Sequence, residues 1–126
     1  MNVLEFELKG YDVKRVDLLK KAPIERRCIL CGEYFNGGDL VVRIIALPKN
    51  YREIRVVGFD RNGKKIPRSE LLKRKYYVHL KCVFKVCSRE FAELVKKEIR
   101  IPFSGKIRKR IKSLIQIWFY KYVKLR

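Results

Sequence analysis

Four side chains in this sequence have the types and spacing to hold a metal ion: Cys28 and Cys31 in Cys-x-x-Cys, then His79 and Cys82 in His-x-x-Cys. Thiolate and imidazole are soft or borderline donors, and four of them complete the tetrahedral set of a structural zinc site. The only histidine of the chain falls inside the set. A closed site of this kind leaves no position for water, so zinc, the expected cofactor, is expected to hold the fold rather than to catalyse. Cys87 lies five residues beyond Cys82, an awkward angle on a helix, and reads as a small buried hydrophobe, with replacement of His79 as the alternative. Four cysteines also allow two disulfides, but the two x-x spacings read better as metal ligands.

The elements that must position these ligands follow from the pattern on either side. Leu4, Phe6 and Leu8 alternate with Glu5 and Glu7, which predicts a strand ended at Gly10, and Val13–Lys21 predicts a short helix or turn. Cys28 to Gly38 has the shape of a zinc knuckle, with Gly32 free to turn the backbone around the metal and Asn36-Gly37-Gly38 punctuating a hairpin. Leu40–Leu47 is β-branched and continuous, a buried strand. A second hairpin is expected from Ile54–Phe59, the turn Asp60-Arg61-Asn62-Gly63 and the return Lys64–Ile66, and Ser69 is placed to cap a short helix through Leu72. Tyr76-Tyr77-Val78 leads into His79, and the chain from there to about Arg100 has helical character until Pro102 breaks it. A final helix starts at Ser104-Gly105, with Ile107, Ile111, Leu114, Ile115, Trp118, Tyr122 and Leu125 on one apolar stripe. His79 and Cys82 share a face if they sit in a first helical turn. A knuckle and hairpin followed by such a helix is a treble-clef-like arrangement. The fold class expected is α+β, with two C-terminal helices split at Pro102. Residues 1–126 read as a single zinc-binding domain, with a zinc-finger core over 26–100 and a basic amphipathic helix over 103–126.

Cys28-x-x-Cys31-Gly32-Glu33-x-Phe35-x-x-Gly38-x-Leu40-x-x-Arg43, joined later by Tyr77-Val78-His79-x-x-Cys82-x-Phe84, resembles the poly(ADP-ribose) polymerase type of zinc finger. The resemblance covers about residues 26–85 and implies Cys28, Cys31, His79 and Cys82 as the ligands. It also implies recognition of irregular or broken DNA. The sequence departs from the family in the interval from Cys31 to His79, which is longer, with the Lys64-Lys65 hairpin filling the excess. Nothing in it resembles a polymerase catalytic domain, so only the binding role carries over.

Charge points the same way. The chain has 126 residues with 32 Lys and Arg against 13 Asp and Glu, a net charge of +19. Such a field repels itself in the compact state and suits a polyanionic partner; a crowded, solvated, thermophile-like surface is the plain alternative. Nucleic acid is the expected partner, DNA favoured over RNA, since each neutralised phosphate releases counterions. The contacts are expected from two clusters. One is Arg61, Lys64, Lys65, Arg68, Lys73, Arg74 and Lys75; the other, on the final helix, is Arg108, Lys109, Arg110 and Lys112. Tyr34, Phe35 and Tyr51 are the candidates for stacking on unpaired bases, while Trp118 and Tyr122 read as core.

Enzyme classes fare badly. With His79 engaged by the metal, no Ser-His or Cys-His pair is left, no clustered carboxylates suit a two-metal nuclease, and no Walker or Rossmann glycine pattern occurs. Residues 1–10 carry Glu5, Glu7 and Lys9 and do not read as a signal peptide, and no apolar run approaches the ~20 residues of a membrane span. The reading is a non-enzymatic, zinc-stabilised nucleic-acid-binding protein of regulatory or structural role, intracellular, cytoplasmic or nucleoid-associated. Its alternatives are an RNA-binding or ribosome-associated module, and an adaptor whose C-terminal helix docks on a protein partner or a second copy.

Overall fold

Asn2 decides the first element of the computed structural model, which describes residues 2–126. Its side chain accepts the Glu5 N–H at 2.9 Å and donates to the Glu5 carboxylate at 2.7 Å. This reciprocal Asn-x-x-Glu cap starts helix α1 (Val3–Glu7) where the alternation of Leu4, Phe6 and Leu8 predicts a strand. Leu4 and Leu8, four apart, both enter the core, and Phe6 is left 63% exposed.

Strand β1 (Tyr11–Leu18) replaces the helix or turn expected over Val13–Lys21. It pairs antiparallel with β2 (Val41–Pro48), the buried strand expected from Leu40–Leu47. Between Val13 and Arg15 the register slips by one residue, so Lys14 is a bulge. The extra residue breaks the period-two alternation, which is why the strand does not show in the sequence. Val42, Ile44 and Ala46 are fully buried and face Leu18, Val16 and Val13 across the pair.

The chain from Lys49 to Pro67 is irregular. Asp60 Oδ1 accepts the N–H groups of Asn62 and Lys64, both at 2.9 Å, and Gly63 takes a φ of 77°, so the expected turn is present. The expected hairpin arms are not. A single bridge, Phe59 to Lys65, joins them, and Val57 and Phe59 stay 69% and 62% exposed because no second layer covers them. Helix α2 (Arg68–Leu72) follows, with Pro67 rather than Ser69 at its cap position.

Strand β3 (Arg74–His79) returns antiparallel along the other side of β2. The helix expected from His79 to Arg100 is two helices, α3 (Leu80–Val86) and α4 (Arg89–Glu98). The break at Cys87-Ser88 arises because Ser88 Oγ caps α4 through the Phe91 N–H at 3.3 Å. The Glu5 carboxylate in turn accepts both the Ser88 N–H, at 3.0 Å, and its hydroxyl. Strand β4 (Ile99–Arg100) then pairs parallel with β1, which ends α4 before Pro102. The result is an α+β fold around one mixed sheet of order β3-β2-β1-β4.

Helix α5 (Gly105–Trp118) runs into a π-helical segment, Phe119–Lys124. The wider turn lets residues four apart line up, so the buried stripe is Ile111, Ile115, Phe119 and Val123. Trp118 and Tyr122 are half-buried against the core, and Leu114 is half-buried. Ile107 and Leu125, expected inside, are 57% and 66% exposed. Phe84 of α3 receives this stripe, with its ring 6.3 Å from Phe119 and 6.4 Å from Trp118. Among the described residues no helix is long and apolar enough to cross a membrane.

Candidate metal centre and basic surface

Cys28 and Cys31 sit on a tight knuckle. The Cys28 N–H donates to the Glu33 carbonyl at 2.9 Å, the Gly32 N–H donates back to the Cys28 carbonyl at 2.8 Å, and Arg27 bridges to Tyr34. Gly32 has a φ of 77°, the left-handed conformation that lets the chain reverse just after Cys31. The knuckle is fixed to the sheet by the Ile29 N–H, which donates to the Tyr77 carbonyl of β3 at 3.1 Å. His79 ends β3 and caps α3, so the strand aims it at the knuckle, and Cys82 follows in the first turn of α3.

The donor atoms of Cys28, Cys31, His79 and Cys82 all lie within 4.8 Å of one another. Four donors bound at about 2.0–2.3 Å around one ion are about 3.3–3.8 Å apart, so the group fits a single ion with small adjustments. His79 Nδ1 is 3.4 Å from the Cys31 sulfur, and the His79 backbone N–H donates to the Cys28 sulfur at 3.3 Å. On the other side of the ring, Nε2 is 2.9 Å from Asp39 Oδ2. A proton on Nε2, donated to Asp39, leaves the Nδ1 lone pair for the metal. Phe35, 2% exposed, packs edge-on under the imidazole at 4.8 Å. Cys87 is fully buried at the end of α3 and lies outside this group, its thiol pushed up to about 12 by burial.

Proton sharing among the sulfurs reflects their crowding. The Cys82 thiol donates to Cys28 and draws it down to about 4, against the opposing effect of burial. Holding that proton pushes Cys82 well above the usual thiol range, and burial raises Cys31. Burial works against a charged His79, but Asp39 and the Cys28 sulfur outweigh it and raise the imidazole above its ordinary value. Asp39 is lowered by the Asn36 N–H and by His79. Three sulfurs this close cannot all ionise without a cation among them, and a divalent ion, if bound, would replace the shared protons.

Sequence reasoning missed Asp39. The polar turn is legible, since the Asp39 N–H donates to the Asn36 carbonyl at 3.0 Å and the Asn36 N–H to Asp39 at 2.8 Å. What no spacing announces is that β2 and β3 bring this turn beside His79.

The expected cationic side chains are mostly at the surface. Arg61, Lys64, Lys65, Arg68, Lys75, Lys109, Arg110 and Lys112 are exposed. Four are partly engaged: Lys73 pairs with Glu70 at 2.6 Å, Arg74 with Glu7 at 3.6 Å, Arg68 donates to the Arg52 carbonyl, and Arg108 donates to the Ile101 carbonyl at 3.1 Å. Two members of each cluster line a groove, and the grooves differ. Lys65 and Arg68 border one with Tyr51 and Arg52, while Arg108 and Lys112 border another with Lys96 and Lys97. A third basic groove was not read from the sequence. Arg15, Arg43 and Arg100 gather around the buried Asp17, which takes Arg15 at 3.3 Å and Arg43 at 3.4 Å. Register brings them together, because Asp17 stands opposite Arg43 in β2 and Arg100 in β4.

The aromatic candidates change places. Phe35 is core, and Tyr34, 54% exposed, and Tyr51 each have an arginine over the ring, Arg27 at 4.4 Å from Tyr34 and Arg52 at 5.7 Å from Tyr51. Trp118 is only half-buried and lines an open groove.

No family model, curated protein or solved structure matches the chain. The site's own chemistry therefore carries the functional reading.

Proposed function

We propose that this chain is a zinc-stabilised nucleic-acid-binding protein, DNA favoured over RNA, with a structural or regulatory rather than enzymatic role. Zinc is the ion that best suits three thiolates and one imidazole in a closed set, and the order of knuckle, strand and ligand-bearing helix turn supports a treble-clef-like reading of the site. The metal would be held by Cys28, Cys31, His79 and Cys82, with Asp39 orienting the imidazole. When bound it supplies cross-linking of the knuckle to β3 and α3.

One observation carries the binding part. Of the 32 lysines and arginines, only Arg15, Arg43, Lys73, Arg74 and Arg89 have a carboxylate within salt-bridge distance among the described residues. The rest of the positive field is not neutralised within the chain and favours a polyanion. The resemblance to the poly(ADP-ribose) polymerase type of finger adds broken or distorted DNA to the ligands worth testing.

The test titrates zinc-loaded protein with duplex, nicked and single-stranded DNA and with structured RNA over a range of salt. Binding at low salt that weakens steeply as salt rises supports the reading. If none of the four binds at low salt, the reading fails. A second reading, association through the last helix, is favoured by Ile107, Ile117, Tyr120 and Leu125, which are 57–66% exposed. Salt-insensitive self-association without nucleic acid would support it.

A further inference from the structure

Beside the candidate metal centre lies a groove of about 380 Å³ that neither the metal nor the basic clusters account for. Leu40, Leu114 and Trp118 make its apolar lining, and Lys81 and Lys85 of α3 stand at it. Gly38, Asp39, His79 and Cys82 complete its lining. The Trp118 ring lies 6.4 Å from that of Phe84, and the flexible Lys81 side chain holds its Nζ over the indole, 5.9 Å from the centroid, where a stacked base would displace it toward a phosphate. Lys85 Nζ stands 5.3 Å from the Tyr122 ring, one turn further along.

We infer that this groove receives one unpaired nucleobase of a single-stranded or locally opened nucleic acid, stacked on Trp118, with Lys81 and Lys85 taking the flanking phosphates. The inference rests on the nucleic-acid reading and sharpens it. A rigid indole in an open, mainly apolar groove has the form of a stacking platform, and any base offers it a π-face. The two ammonium groups at the groove make a polyanion the complementary occupant, because an apolar segment of a protein would have to desolvate both. A paired duplex cannot present an unpaired base to the groove without opening, so single-stranded stretches and overhangs determine access. The adjoining zinc centre would hold one wall, Gly38 to Leu40 together with the start of α3, at a fixed distance from Trp118.

Trp118 is the only tryptophan, so its emission reports on this groove alone. Zinc-loaded full-length protein is titrated with a short oligothymidylate, an oligouridylate of equal length and a blunt duplex. Tryptophan emission and the anisotropy of labelled strands are followed together. Both single strands are expected to quench Trp118 saturably, with the same midpoint as the anisotropy, and to shield it from iodide, while the blunt duplex leaves emission unchanged. Trp118→Leu is expected to weaken single-strand binding on the order of tenfold without altering duplex binding. Because that variant disturbs packing against Phe84, Lys81→Gln with Lys85→Gln is the companion, and it should reduce single-strand affinity and quenching more than duplex affinity while leaving the fold intact. Single strands that bind by anisotropy with no change in Trp118 emission or iodide access would overturn the inference and leave the nucleic-acid reading standing. Absence of all binding at low salt would overturn both.

Discussion

Asp39 Oδ2 lies 2.9 Å from His79 Nε2, across forty residues of chain, on the side of the ring opposite the cysteine sulfurs. This pairing fixes the imidazole tautomer that a metal ligand needs, and it links the turn before β2 to the end of β3.

Removing that partner is expected to loosen the metal without unfolding the chain. Asp39→Ala should lower zinc affinity about 10–100-fold in competition with a chelator, and Asp39→Asn, which still offers an acceptor, should recover part of the loss. Equal affinity in all three proteins would show that Asp39 does not orient the ligand.

Metal-replete protein is expected to carry one zinc per chain by elemental analysis. Cys28→Ser combined with Cys82→Ser should abolish the zinc and the cooperative unfolding transition, because the ligands join the knuckle to α3. Cys87→Ala should leave the stoichiometry unchanged, since its thiol lies outside the donor group.

Acid and base should act to different extents on the two forms. In the metal-free protein Cys28 and Asp39 are depressed, so their contributions are complete above their ordinary values and are lost as pH falls through the folded ones. Cys31, Cys82 and His79 are raised, so theirs are complete below their ordinary values and are lost as pH rises. Metal-free stability should therefore decline on both sides, its alkaline loss running through and beyond the ordinary thiol value of 9.0. Zinc keeps its ligand thiols deprotonated, so the loaded protein should lose the share of the alkaline decline due to Cys31 and Cys82, keep that of the buried Cys87, and show a steeper acid edge as protons displace the metal. Denaturant melts of both forms across pH check this; an alkaline decline of equal size with and without zinc would contradict it.

The nucleic-acid reading makes a prediction for salt. With about 6–10 phosphate contacts, affinity should fall about 10³–10⁵-fold between about 50 and 200 mM salt. Replacing Lys64, Lys65 and Arg68 by Ala should reduce affinity and salt slope while leaving zinc content unchanged. Replacing Arg108, Lys109 and Arg110 does the same if both clusters touch one polyanion, and because Lys65 and Arg68 line one groove and Arg108 another, this triple variant is the decisive comparison.

Packing of the last helix can be checked by stability alone. Phe119→Ala should cost about 3–5 kcal/mol, since the ring is 4% exposed and meets Phe84. Leu125→Ala, at a side chain 66% exposed, should change stability by less than about 0.5 kcal/mol. The reverse order would restore the apolar stripe read from simple helical periodicity.

Residue type and short spacing determined the four donors, the knuckle turn at Gly32, the Asp60–Gly63 turn and the positive field, because each depends on residues near in sequence or on composition. The same local rules misread the first two elements. The Asn2–Glu5 cap outweighed the alternation of Leu4, Phe6 and Leu8, and the Lys14 bulge masked the period of β1. Only tertiary structure decided the rest. Sheet register set Asp17 among Arg15, Arg43 and Arg100, and the β2–β3 pairing carried Asp39 to His79. The π-helical turn moved Phe119 inward, and the packing of α5 on α3 left Trp118 lining a groove. These relationships join residues tens of positions apart through hydrogen-bonded strands and helix packing. No local period encodes them, because the free energy that selects them appears only when the partner surfaces meet.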